Sequence, residues 1–334
     1  MSSLLLLVIF IVILALIFDF LNGFHDAANS IATIVSTRVL KPHHAVMWAA
    51  FFNFIAILIF ETHVANTVGR GLIDPTIVDP LFILGALSGA IFWNLVTWYY
   101  GIPSSSSHAL IGGLVGVAIV KMGGFSSIQV VGISKTLIAI VVSPLTGFVL
   151  GMILMFVTIH IFFKVRRQKI DSVFRKLQLV SAALISLGHG ANDAQKTMGI
   201  IAVLLYSSGH LGGEFHVPFW VSFSCYFVIA LGTLFGGWRI VRTMGSKITK
   251  LKPVNGFCAE TGAALTLFIA TLMGIPVSST HTITGSIVGV GSAQKSTSIR
   301  WTLARRIVWA WIITIPCAAF VSGGTWWLIN FFTK

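Results

Sequence analysis

Residues 102–117 read IPSSSSHALIGGLVGV and residues 275–290 read IPVSSTHTITGSIVGV, an ungapped match at a constant offset of 173. Pro103, Ser105, Ser106, His108, Gly112, Val115, Gly116 and Val117 recur as Pro276, Ser278, Ser279, His281, Gly285, Val288, Gly289 and Val290. A second pair lies upstream in each half, GFHDAANSIAT at 23–33 and GANDAQKTMGI at 190–200, offset by 167. The matching parts are polar while the chain around them is apolar. Duplication of that kind points to one binding site assembled from two halves.

Of 334 residues, 56% are hydrophobic and 9% are charged, with a mean hydropathy of +0.94. Soluble domains carry roughly 25% charged residues. So few charges cannot cover a water-facing surface, and the chain reads as an all-α polytopic integral membrane protein in contact with a lipid bilayer. Apolar stretches at 4–18, 45–60, 81–99, 136–163, 217–238 and 307–332 are long enough to cross or nearly cross. Segments 26–37, 104–120, 177–206, 254–273 and 279–293 are helical in pattern but interrupted by Gly, Ser or charge. The N-terminal run has no basic leader and ends at Asp19 instead of a small-residue cleavage site, so a retained helix is expected. Asp19 and Glu61 fall near segment ends and are expected to face an interface. Cys225, Cys258 and Cys317 are scattered and suggest no disulfide framework.

The net charge of +13 reads as topology, not as nucleic-acid binding. Segment 164–176 holds six Lys or Arg and one acid, between the two repeats. Segment 239–252 holds Arg239, Arg242, Lys247, Lys250 and Lys252; segment 295–306 holds Lys295, Arg300, Arg305 and Arg306; Arg38 and Lys41 mark a further basic turn. The positive-inside rule places these stretches in the cytoplasm and both termini outside. Their repeat counterparts are neutral or acidic: 66–79 sets Arg70 against Asp74 and Asp79, and 205–216 carries Glu214 with no Lys or Arg. The halves, 1–163 and 177–334 about a basic cytoplasmic linker 164–176, are therefore expected to be inverted relative to each other. That is the architecture of secondary transporters, with broken helices and a site near the midplane. The pairs 81–120 and 254–293 are either full crossings or re-entrant hairpins.

Asp26 and Asp193 take equivalent positions in segments of Ala, Ile, Gly, Thr and Met. A carboxylate near mid-membrane costs at least about 2.5–3.5 kcal/mol on insertion scales, which favours cation coordination or proton uptake over a mere helix cap. The IPSSSSH and IPVSSTH runs fit helix starts, where unpaired backbone N–H groups, the positive dipole end and hydroxyls favour an anion. Ser105, Ser106, Ser107, Ser278, Ser279 and Thr280 are the hydroxyls, flanked by Asn29, Asn192, Gln195 and Lys196. Lys196 stands where the first repeat has Asn29, and either neutralises Asp193 or attracts the anion. His25, His108 and His281 are candidate proton relays, and Glu260, whose repeat partner is Leu87, is an unmatched coupling candidate. The glycines after each hydroxyl run are expected to serve packing.

With these four motifs in order, the chain resembles the inorganic phosphate transporter (PiT) family, which carries a GANDVAN-type signature in each half. The resemblance spans essentially the full length. It implies import of phosphate across the cell membrane by symport, with no enzyme activity and no cofactor; the oligomeric state is open, a homodimer being one option. His25 and Lys196 replace asparagines of sodium-coupled relatives, a pattern similar to bacterial members regarded as proton symporters, some of which take phosphate complexed with a divalent metal. A proton is therefore the expected coupling ion and Na+ the alternative, with Asp26 and Asp193 as ligands if a metal cation binds. Sulfate is the alternative oxyanion. A passive anion channel is a further rival. A membrane hydrolase using Ser with His108 or His281 is disfavoured, because adjacent Ser-Ser-His lacks an orienting third group.

Overall fold

The computed structural model describes residues 3–294 and 299–333; Lys295, counted above in a basic stretch, lies outside them. The first half contains α1 (Ser3–Ser36), α2 (Pro42–Ile55) with a 3-10 turn at Ala56–Leu58, α3 (His63–Arg70), α4 (Pro80–Tyr100), α5 (Ser106–Met122) and α6 (Val130–Ile161). The second repeats the order: α7 (Arg167–Ser207), α8 (Phe219–Phe235), α9 (Trp238–Arg242) with a π-helical turn at Thr243–Lys247, α10 (Pro253–Leu272), α11 (Ser279–Gln294) and α12 (Trp301–Thr333). The local sequence explains the boundaries around the motifs. Asp79 caps α4 through the Phe82 N–H at 2.7 Å, Pro80 starts the helix, and Gly101 ends it at φ +64°. Ser105 and Ser278 cap α5 and α11 through the His108 and His281 N–H groups, each at 3.2 Å.

Among the described residues, five helices are long and apolar enough to cross a membrane: α1, α4, α6, α10 and α12. Two further apolar helix pairs, each a broken span or a re-entrant loop, are bent, by 83° where α2 meets α3 and by 61° where α8 meets α9. These breaks occupy the same place in each repeat. The signature helices, by contrast, were expected to be interrupted, and they are not. α1 and α7 run unbroken through Asp26 and Asp193. Neither signature contains Pro, and its polar side chains bond to other helices instead of competing for their own backbone. Neither aspartate is a cap. Most of segment 164–176 likewise forms the first turns of α7, which begins at Arg167.

The inversion is visible in two hydrogen bonds. Near the start of the contact, Thr197 of α7 donates to Asp19 of α1 at 2.8 Å; near its end, Thr37, just past α1, donates to Gln178 at 2.9 Å. Residue numbers climb on one helix as they fall on the other, so the equivalent helices are antiparallel. The halves also interleave. α6 packs on α10 and α11, while α12 packs on α4 and α5; α1 packs on α8, and α2 on α7.

Repeated glycines make that exchange close. A Cβ at Gly116 or Gly289 would lie 2.1 Å from the Ala319 carbonyl oxygen or 2.0 Å from that of Phe148. Backbone meets backbone there, so nothing can yield without moving a helix. Gly289→Ala is expected to cost about 1–3 kcal/mol through overpacking, read as a lowered melting temperature in detergent; an unchanged melt would show that α11 and α6 are less tightly locked.

Candidate functional site

α1 and α7 bring their signatures to the middle of the protein, where the starts of α5 and α11 also converge. His25, Asp26, Asn29, Asn192, Asp193, Lys196 and the hydroxyls of Ser105–Ser107 and Ser278–Thr280 are all buried. Several of the bonds among them cross between halves. Asn29 donates to Ser279 and Thr280, both at 3.0 Å. Thr280 also points to Asp26 Oδ1 at 3.5 Å, while Ser279 donates to Asp193 Oδ2 at 2.6 Å. Ser107 lies 3.5 Å from Asp193 Oδ1. One hydroxyl run therefore touches both signatures.

Charge is distributed unevenly between the two aspartates. Asp193 contacts the Lys196 ammonium and His189 Nε2, the latter at 3.1 Å. Lys196 donates to Asp193 Oδ1, to Ser107 Oγ at 2.5 Å and to the Val277 carbonyl at 2.6 Å. An ammonium has three protons, so each is used on a protein oxygen. Asp26 has no lysine; His25 Nδ1 lies 2.7 Å from its Oδ1, and the other ring nitrogen lies 3.1 Å from Thr97 Oγ1. One ligand atom each from Asp26, His189 and Asp193 lie within 4.8 Å of one another. Two carboxylate oxygens with nearby hydroxyls suit a hard cation, which prefers oxygen ligands.

Several expected residues do other work. Asn192 donates to Thr271 at 3.0 Å and to the Ile275 carbonyl at 3.2 Å, and accepts from the Val277 N–H at 3.2 Å, pinning the α10–α11 turn. Gln195 accepts from the Val64 and Ala65 N–H groups at 2.9 and 3.3 Å and donates to the Glu61 carbonyl at 2.8 Å, so it secures the start of α3. Glu260 forms a separate buried cluster with Thr33 at 2.5 Å, Gln178 at 2.9 Å and Ser181. Thr33 is seven residues beyond Asp26 on α1, about 10 Å along the axis. The His108 and His281 rings meet edge to face, centroids 4.4 Å apart, with His281 stacked 3.8 Å from Trp311. Ser106 Oγ and Asn29 Oδ1 are buried without a hydrogen-bond partner among the described residues.

Sequence reasoning missed Thr97, which holds His25, and the donors Thr33, Gln178 and Ser181 around Glu260. Their only signal is polarity inside membrane-length helices. Asp19 is a plain correction: it does not face an interface but is fully buried, because α1 continues past it into the protein interior.

The chain is similar to known proteins over nearly its full length. Over 316 residues, covering 95% of this chain and 94% of the relative, the chain is 65% identical to a probable low-affinity inorganic phosphate transporter of Rhizobium meliloti (strain 1021). A protein of the same name from Bacillus subtilis (strain 168) is 46% identical over 332 residues, 99% of both chains. A solved structure named as the sodium-dependent phosphate transporter matches with a TM-score of 0.85 at 25% identity, covering 97% of this chain and 99% of its own. The profile of the phosphate transporter family matches residues 22–322, and the chain belongs to that family.

Proposed function

We propose that the chain carries inorganic phosphate into the cell together with a cation, exposing one central site to each side of the membrane in turn. The names of its relatives support the substrate. The observation that carries the reading is the cross-half bonding, in which Asn29 of the first half holds Ser279 and Thr280 of the second while Lys196 of the second donates to Ser107 of the first. Phosphate is held between the starts of α5 and α11 by backbone N–H groups and by Ser106, Ser107, Ser279 and Thr280, with Asn29 at its side. Ser105 and Ser278 act as caps, and Asn192 and Gln195 as positioning residues. Lys196 neutralises Asp193 and does not grip the anion while its protons remain so engaged.

Asp26 lacks a lysine, so the mobile cation belongs beside it, shared with Asp193 and His189. The solved relative's name favours Na+ over the proton expected from sequence. A proton is the second reading, favoured by the imidazoles of His25 and His189 against the two carboxylates. The basic ends of the helices are assigned to the cytoplasm, as the positive-inside rule requires.

Phosphate uptake into proteoliposomes, with sodium and pH gradients imposed separately and sulfate as competitor, tests this. Uphill uptake driven by a cation gradient and indifferent to sulfate is expected. Uptake that only follows phosphate's own gradient would indicate a channel, and strong inhibition by sulfate would reassign the oxyanion.

A further inference from the structure

Asp19 sits in the middle of α1, seven residues before Asp26, and is fully buried. Its Oδ1 accepts from the Thr197 hydroxyl at 2.8 Å, and its Oδ2 has no hydrogen-bond partner among the described residues. Among the described residues the buried acids are Asp19, Asp26, Asp193 and Glu260. The other three are compensated: Asp26 by His25, Asp193 by Lys196 and His189, and Glu260 by Thr33, Gln178 and Ser181. Asp19 has one donor and, among the described residues, no ion-pair partner.

The ionisable groups that bear on it most directly are acids, and the nearby bases of α7, Lys196 and His189, are engaged by Asp193. The acids are Asp193 from α7 and Cys225 and Tyr226 from α8. α4 also packs on α1, but its Tyr99 and Tyr100 sit at its exposed far end; the histidines of α2, His43 and His44, are exposed too. α9, its following turn and Glu260 of α10 meet α1 beyond Gly23, toward its C-terminal end, which keeps Arg239, Arg242 and Lys247 away from Asp19. His108 of α5 and His281 of α11 pack against each other.

An ionised carboxylate so placed has no countercharge, whereas a neutral carboxyl fits the pocket. One carboxyl, one hydroxyl, one thiol and one phenol offer too few oxygens for a metal cation, which takes about six. A proton is the cation this pocket can hold. We propose that Asp19 is a proton-carrying residue of the transport cycle, separate from the central carboxylates. When the pocket opens on the loading side, Asp19 takes a proton from water at Oδ2; the proton leaves to water when the opposite side opens, one per cycle. The link to the centre is covalent. Thr197, the sole donor to Asp19 among the described residues, directly follows Lys196 on α7, so any shift that releases Lys196 also moves the Asp19 pocket.

This assignment rests on the phosphate-carrier reading. The test reconstitutes the full chain and its Asp19→Asn and Asp19→Glu variants, reading two quantities: phosphate–phosphate exchange, and phosphate accumulation driven by a pH gradient with sodium equal on both sides. Asn is expected to lose accumulation about tenfold or more while Glu recovers part of it. Wild-type accumulation in Asp19→Asn, or no pH-driven accumulation in a wild type that still exchanges phosphate, would overturn the assignment and leave the carrier intact. A wild type without any exchange would remove the carrier reading, and the assignment with it. Should Asp19→Asn fail to fold, labelling of the wild type with a hydrophobic carbodiimide, which reacts with protonated carboxyls, gives the answer by mass spectrometry. An adduct at Asp19 supports the proposal; exchange-active protein with none there contradicts it.

Discussion

Asp193→Asn is expected to lower phosphate uptake roughly 100-fold or more, since removing one member of a buried ion pair costs about 3–5 kcal/mol. The cost has a definite origin. Lys196 is 2% exposed and gives one proton to Asp193. With Asn at 193 the ammonium keeps Ser107 and the Val277 carbonyl but loses its countercharge. Transport could then fail merely because the protein unfolds. The double variant Asp193→Asn/Lys196→Met separates the two causes, because it deletes both charges together. The double variant is expected to insert and melt much like the wild type while still failing to take up phosphate. Recovered uptake in it would mean that Asp193 is needed only to compensate Lys196.

The second large effect concerns the asymmetry between the halves. Lys196→Asn gives the second half the residue that the first half has at Asn29. Asp193 then resembles Asp26, a carboxylate with an imidazole neighbour and no fixed ammonium. The expected outcome is a gain of dependence: phosphate binding by the variant strengthens with added sodium about tenfold or more, the usual range for a coupling of 1–3 kcal/mol, and more strongly than in the wild type. Equal sodium responses in the two proteins would show that the ammonium does not stand in for a cation. If Asn packs poorly, Lys196→Gln offers a closer length for the same measurement.

Much of the architecture was legible because the repeats are polar where a membrane protein is least free to be polar. The offset between IPSSSSH and IPVSSTH located two equivalent helix starts, and the basic and acidic loops gave the inversion that Asp19–Thr197 and Thr37–Gln178 display. The glycines were read as packing, and Gly116 and Gly289 do sit on opposing carbonyls. Pairing was a different matter. Gln195 and Asn192 stand in the signature beside Asp193, yet successive helical residues point to different sides. Gln195 thus reaches α3 and Asn192 the α10–α11 turn. Glu260 could be flagged as an intramembrane acid, but its partners come from α1 and α7, far away in sequence. Asp19 was misplaced because the apolar run before it suggested a helix ending at a surface, whereas α1 continues through Asn22, Gly23 and the signature.

Equilibrium binding of radiolabelled phosphate to the purified chain tests the shared site most directly. One phosphate per chain is expected, lost both in Ser106→Ala/Ser107→Ala and in Ser279→Ala/Thr280→Val, because each half supplies part of the same pocket. Two phosphates per chain, or undiminished binding in either double variant, would contradict a single site built from two inverted halves.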